Sequence, residues 1–448
     1  MRRSFLAATL LLAEAFAEPA LDYKVSPAFA MAHGCGETCQ KNLAAAGPGD
    51  FQNFGDDFRF GFYDTASNFS TSEPGDVLKI QPLDPKPLKV RSGTSVYLIQ
   101  YTSKDLDGSR VPATAFIALP FGPTKDTTNG TVSYPLIAYA HGTSGIYRGC
   151  APSNGPSLYD YTSWQLLVDR GYAVVATDYA GLGNNYTLHK YGSYVANAND
   201  VYYSAVAARK AFPIFSQDWM TVGHSQGGAA VWKLAESELV ASDKHHLGTV
   251  SLAPAARLWY MFQLNLKSKG AFLGYAAYHA KALQRVHPSY NLTVLAEPLR
   301  RRMAVADEAQ LCFGGLMSLS ADLKNHQIAS PAGIKRDDAM FQKWQDEMSP
   351  GMAGQRSAKP VFVVQGLNDT SVLPEATRKV YEDACKQGSE VHLREYPLME
   401  HSPVIAAASA QWLTWIDKRF AHIPTTGRCS ASVEQPFDLS MVKAPPED

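Results

Sequence analysis

The sequence predicts an α/β protein: a mostly parallel central sheet flanked by helices, with a helical segment inserted late in the chain. Three observations carry this. Short, continuous apolar runs alternate with helical stretches, which is the pattern of strands covered on both faces. That rhythm breaks over one long helical stretch and then resumes. One run also passes directly from a strand pattern through a glycine-rich turn into a helix pattern. With 448 residues, 46% of them hydrophobic, the chain can fill a large core and still carry an inserted subdomain.

Taken in order, the chain opens with Arg2 and Arg3, an apolar run from Phe5 to Leu12, and small residues at Ala15 and Ala17. This is the layout of a signal peptide over residues 1–17, so the expectation is a secreted protein. The run is too short to span a bilayer, and no later segment is long and apolar enough to do so. Residues 18–85 are rich in Gly, Pro and Asp without a sustained period, and read as an irregular N-terminal wrap. Thr94–Tyr101 and Pro112–Leu119 are β-rich runs joined through Asp107-Gly108, a hairpin signal. Strand-like runs follow at Tyr134–Ala140, Tyr172–Ala176, Trp219–Gly223, Thr249–Ala253, Val361–Gln365 and Val391–Tyr396. Helical patterns lie between them at Ser163–Arg170, Asp200–Phe212, Ala229–Val240 and Ala376–Gln387. Residues 86–255 and 360–448 therefore read as the core, and 256–359, helical and flecked with aromatics such as Trp259, Phe262, Tyr275 and Tyr278, as an inserted cap.

Lys and Arg total 41 against 42 Asp and Glu, so the basic footprint of a nucleic-acid binder is missing. The run Arg300-Arg301-Arg302 reads as a solvated helix face. Six cysteines stand at 35, 39, 150, 312, 385 and 429, an even number that suits an oxidising compartment. His33, Cys35 and Cys39 have no second close Cys/His pair, so a disulfide between Cys35 and Cys39 is expected rather than a metal site. No metal or cofactor is expected. Sequons start at Asn68, Asn129, Asn185, Asn291 and Asn368. The first four are expected to carry glycans, whereas a glycan on Asn368 would crowd the neighbouring Asp369.

Gly223-His224-Ser225-Gln226-Gly227 fits G-x-S-x-G. At average glycine and serine usage such a match arises by chance in a chain of this size on the order of one time in ten. Here a strand pattern enters it and a helix pattern leaves it, which is what a nucleophile elbow requires. Ser225 is then held at the carboxyl edge of the sheet, beside a helix N-terminus that favours developing negative charge. A serine hydroxyl needs a base, and the base an orienting acid. Asp369 follows one late strand and His401 follows the last, so the order serine, acid, histidine is complete. Glu400 is the rival acid, but adjacency to His401 gives it poor geometry. Two backbone donors are expected for the oxyanion: the N–H of Gln226, after the nucleophile, and that of Thr143, in the loop His141-Gly142-Thr143-Ser144-Gly145. Asp178 ends a strand ahead of the nucleophile and reads as a structural turn residue.

The run Ala140-His141-Gly142-Thr143, the segment Gly149-Cys150-Ala151-Pro152-Ser153, the turn Asp178-Tyr179-Ala180-Gly181-Leu182-Gly183 and Gly223-His224-Ser225-Gln226-Gly227-Gly228 together resemble the fungal secretory lipase family over roughly residues 85–420. The resemblance implies an α/β-hydrolase fold with a helical lid, carboxylic ester substrates, no cofactor, and Ser225, Asp369 and His401 as the triad. It also implies pairing of Cys150 with Cys312 and of Cys385 with Cys429. That family includes lipases, trichothecene esterases and a cephalosporin esterase. The cap carries many charges (Lys267, Lys269, Arg285, Arg300 to Arg302) and no long apolar stripe, so bulky or soluble esters such as acetylated secondary metabolites are expected. The close rival is triacylglycerol hydrolysis, in which the cap would touch a lipid interface transiently. A serine peptidase and a non-catalytic binding protein on the same fold rank below these; no obligate protein partner is implied.

Overall fold

The computed structural model describes residues 25–55, 58, 60–125, 132–267 and 273–444. The segment read as a signal peptide and the sequon at Asn129 lie outside them, as does Lys269. The strands are β1 (Val77–Pro82), β2 (Ser95–Lys104), β3 (Arg110–Leu119), β4 (Thr124–Lys125), β5 (Val132–Ala140), β6 (Ala173–Thr177), β7 (Phe215–His224), β8 (His246–Leu252), β9 (Val361–Gly366), β10 (Val391–Tyr396) and β11 (Ser430–Val433). Ten of them form one sheet in the order β1-β2-β3-β6-β5-β7-β8-β9-β10-β11, while β4 pairs with β5. The pairs among β1, β2, β3 and β6 are antiparallel, and every pair from β6 to β11 is parallel. The alternation of strands and helices predicts this mostly parallel sheet, and the family resemblance implies its α/β-hydrolase arrangement.

Side chains alternate strictly between two cores, as strand geometry demands. Leu136, Ala138 and Ala140 of β5 face one core and Ile137 and Tyr139 the other; Val361 and Val363 of β9 oppose Phe362 and Val364 in the same way. The helices Tyr194–Ala211 and Gln226–Ala235 cover the first face, and Ser409–Phe420 the second, through Trp412 and Ile416. Among the described residues, 256–359 holds helices and no strand. There Trp259 stacks on Phe341 at 4.2 Å and donates its indole N–H to Asp338.

Residues 18–85 are more regular than they read. Glu37–Phe54 is an eighteen-residue helix despite Pro48 in its interior. Its buried stripe is Cys39, Leu43, Gly47, Asp50 and Phe54, helical in spacing but mixed in chemistry, so it gives no hydrophobic period. Tertiary contacts stabilise the helix instead. Asp50 accepts the N–H groups of Gly314 and Gly315, capping the helix Phe313–Ser318, and a disulfide joins Cys35 to Cys39. The arginine run is likewise only partly solvated. Arg302 is buried, forks onto Asp322 and donates to the carbonyls of Gly34 and Leu319. The remaining disulfides are Cys150–Cys312, which joins positions 162 residues apart, and Cys385–Cys429, beside β11. Asn68, Asn185 and Asn291 are exposed, and so is Asn368.

Candidate active site

Strand register brings the chemistry to one edge. Ala140 at the end of β5 pairs with Gly223 of β7, His224 with Leu252 of β8, Leu252 with Val364 of β9, and Gly366 of β9 with Tyr396 of β10. The segments that follow these positions carry His141-Gly142-Thr143, Ser225, Asp369 and His401. Four stretches far apart in sequence therefore emerge side by side, at the carboxyl ends of parallel strands.

Ser225 sits between β7 and the helix Gln226–Ala235 with φ 57° and ψ −118°, a left-handed conformation that non-glycine residues avoid. The surroundings hold it there: its N–H donates to Leu252, and its carbonyl accepts from Ala255. The flanking glycines follow from close approach. A Cβ on Gly227 would lie 1.9 Å from the carbonyl oxygen of Ala140, and one on Gly223 2.3 Å from that of Gly227.

Asp369 is buried and its carboxylate is fully engaged. Oδ1 accepts the N–H groups of Ser371 at 2.9 Å and Val372 at 2.7 Å. Oδ2 accepts from Nε2 of Gln365 at 3.2 Å and faces Nδ1 of His401 at 2.8 Å. Gln365 is itself fixed by the hydroxyl of Thr377. Glu400, the rival acid, turns its Oε2 to the N–H of Thr370. Asp178 lies apart, buried, accepting from Thr114 and twice from Ser153; burial pushes its carboxyl up to about 6, as suits an internal anchor.

Thr143 and Ser225 share a cavity of about 20 Å³. Apolar residues Leu258, Met261 and Phe262 wall it from the helix Leu258–Lys267, Tyr275 and His279 close it from the N-cap and first turn of the helix Ala276–Val286, and Ser371 and Val372 from the Asp369 loop. The Thr143 hydroxyl bonds that of Tyr191 at 3.0 Å, and its carbonyl accepts from Tyr159. Gln226 is buried, with Nε2 between Nε2 of His189 and Oδ1 of Asn197. His279 is buried, and desolvation lowers its pKa to about 4, so a neutral imidazole borders the cavity. Sequence reasoning passed over Met261, His279, Tyr191 and Tyr161. Met261 and His279 lie inside the stretch read as cap but carry no local mark of a site, and Tyr161 and Tyr191 carry none either, because their contacts come from other elements.

A comparison with curated protein sequences finds no match. Among solved structures, the chain is similar to Candida antarctica lipase A, with a TM-score of 0.67 at 16% identity over 85% of this chain and 90% of that one. It is also similar to the rice cell wall degrading esterase LipA from Xanthomonas oryzae, with a TM-score of 0.59 at 18% identity over 78% and 98%. A putative hydrolase from Legionella pneumophila superposes with a TM-score of 0.65 at 16% identity over 78% of this chain and all of that one. At these identities the likeness establishes the shared α/β-hydrolase fold. Family membership rests on the sequence, since residues 157–428, more than half the chain, match the secretory lipase family. With that match added to the elbow and the Asp369–His401 pair, the chain belongs to the secretory lipase family and is a carboxylic ester hydrolase.

Proposed function

We propose that this hydrolase works through an acyl-enzyme on Ser225, with His401 as base and Asp369 as its orienting acid. The observation that carries the reading is the 2.8 Å contact from Asp369 Oδ2 to His401 Nδ1, at the sheet edge where the strained Ser225 turn also stands. Asp369 holds the proton on Nδ1, which leaves Nε2 free to take the proton of the Ser225 hydroxyl as its oxygen attacks the ester carbonyl. The backbone N–H groups of Thr143 and Gln226 stabilise the oxyanion. Protonated His401 then returns the proton to the departing alcohol, and water, activated by the same histidine, releases the acid.

The preferred substrates are bulky or soluble esters with a short acyl group, such as acetylated secondary metabolites. The cavity beside Ser225, about 20 Å³, has room for little more than a water molecule, so a small acyl group needs the least rearrangement. Among the described residues of 256–359, only Leu266 and Met340 are large exposed hydrophobics, which is a poor surface for a lipid interface. Triacylglycerol hydrolysis is the second reading, favoured by the apolar wall of Leu258, Met261 and Phe262 and by the family's name. In that case the helices Leu258–Lys267 and Ala276–Val286 must withdraw to admit a chain. The further proposals are a core of residues 86–255 and 360–448 with a cap of 256–359, an N-terminal wrap over 18–85, secretion directed by residues 1–17, and glycans on Asn68, Asn129, Asn185 and Asn291. The family and the three disulfides support secretion.

The test is a rate profile on p-nitrophenyl esters from acetyl to palmitoyl, with Ser225→Ala alongside. A maximum at short chains and an inactive variant are expected. A maximum at long chains, rising once substrate exceeds its solubility, would replace the esterase reading by the lipase one. Turnover by Ser225→Ala would overturn the mechanism.

A further inference from the structure

We propose that Tyr161 and His224 form a positioning bridge that locks the oxyanion loop and the His401 loop into one register; this rests on the triad assigned above. The donors and acceptors run in one direction. The carbonyl of His401 can only accept, so His224 Nε2, 3.3 Å away, carries the proton. Burial and the nearby His401 hold His224 well below the ordinary histidine range, so its ring is neutral and Nδ1 is an acceptor. The Tyr161 hydroxyl lies 3.1 Å from that nitrogen and donates to it. The oxygen of Tyr161 in turn accepts the N–H of Gly142 at 2.9 Å and faces the hydroxyl of Tyr139 at 3.3 Å. One donor and two acceptor positions exhaust a phenol, so every bond in the chain is used.

Packing reinforces the bridge. The His224 ring lies 5.2 Å from that of Tyr161 and 4.5 Å from that of His401. A Cβ on Gly142 would come within 3.1 Å of the Tyr161 oxygen and 3.2 Å of His224 Nδ1, so a side chain there would push the bridge by a few tenths of an ångström. The arrangement has a chemical consequence. Gly142 commits its N–H to Tyr161, and the next amide, that of Thr143, is the one left to face the site. Neither Tyr161 nor His224 borders the cavity beside Ser225, so both are positioning residues that act through Thr143 and His401.

The experiment measures kcat and KM on p-nitrophenyl acetate for Tyr161→Phe, His224→Leu and His224→Gln, normalised to active sites titrated with a phosphonate ester. Tyr161→Phe keeps the ring but removes the donor to His224 and the acceptor for Gly142. Its kcat should fall by about tenfold to a hundredfold, the scale of a small misalignment of reacting groups, with KM changed by less than about twofold. His224→Gln keeps a donor and an acceptor and should recover part of what His224→Leu loses, a rescue that a purely structural role would not show. The double variant Tyr161→Phe with His224→Leu should be no worse than its poorer parent, because both changes break the same chain. Parental kcat in Tyr161→Phe, a loss confined to KM, or multiplicative losses in the double variant would overturn the bridge. If Tyr161→Phe does not fold, the contrast between His224→Gln and His224→Leu decides alone. With Ser225→Ala inactive in the same assay, any of these failures belongs to the bridge and not to the triad.

Discussion

Replacing Asp369 by Asn is the sharpest test of the site, because the surroundings dictate how the amide must sit. Oδ1 receives two backbone N–H groups, from Ser371 and Val372, which an amide NH₂ cannot replace. The new carbonyl oxygen is therefore pinned on that side, and the NH₂ is turned toward Gln365 Nε2 and His401 Nδ1. A donor then faces a donor. His401 can meet the amide only by moving its proton from Nδ1 to Nε2, the tautomer that cannot accept the Ser225 proton. In serine triads this change costs about ten-thousandfold in kcat, about 5.5 kcal/mol of barrier. The fold should lose much less, about 1 kcal/mol, since one hydrogen bond from Gln365 is lost while that amide keeps its bonds to the carbonyls of Gly366 and Val372. Hydrolysis of p-nitrophenyl acetate and thermal unfolding, measured on one preparation, separate the two effects. An Asp369→Asn variant that retains more than about a tenth of the parental kcat would refute the assignment, and Glu400 would then be the acid to test.

Further outcomes follow from burial and chain connectivity. His246 is buried with no partner for Nδ1 among the described residues, and desolvation lowers its pKa to about 4. The unfolded chain takes up that proton below about 6.5 while the fold resists until about 4, so this group destabilises by about 1.4 kcal/mol per pH unit as pH falls through that window and not above it. Urea unfolding at pH 7 and pH 4.5 should therefore show His246→Gln gaining on the parent at the lower pH; a pH-independent difference would refute this. Cys150 and Cys312 are 162 residues apart, and removing the bond with a double alanine variant should cost about 5 kcal/mol on the loop-entropy model, read as a lowered Tm that reductant no longer shifts through this bond. Met261→Ala should widen the cavity and move the best acyl chain to greater length, at a stability cost of about 2 kcal/mol or more; an unchanged chain-length profile would place the acyl group elsewhere.

The strands of the parallel half were legible because each is a continuous apolar run bounded by turn residues, and burial on both faces leaves few other ways to use such a run. β10 begins and ends where the sequence places it, and β9 extends one residue further, to Gly366. The helix Glu37–Phe54 and the strand β11 were not legible. The helix buries Cys39, Gly47 and Asp50 on one face, residues with no shared hydrophobicity, and β11 is a short, largely exposed Ser-Ala-Ser-Val segment. Both depend on partners supplied by other parts of the chain, Asp50 on the Phe313–Ser318 helix and β11 on β10.

The same division holds at the site. The turn at Ser225 was legible in sequence because it is a local device: strand, glycines and helix are contiguous in the chain, and the steric demand on Gly223 and Gly227 is written into the motif. Asp369 and His401 could be ordered along the chain, but nothing local joins them. Their contact exists because parallel register sets the ends of β9 and β10 side by side. Tyr161, Tyr191 and His279 carried no signal at all, since a tyrosine or histidine in a loop or helix acquires its role only from what the fold brings against it. Sequence by itself determined the alternating architecture and the strained turn at Ser225, which are consequences of neighbours in the chain. Tertiary structure alone decided the small cavity beside Ser225 and the contacts of Tyr161 and His224 with Gly142 and His401, because these depend on register and packing between segments that lie far apart in the chain.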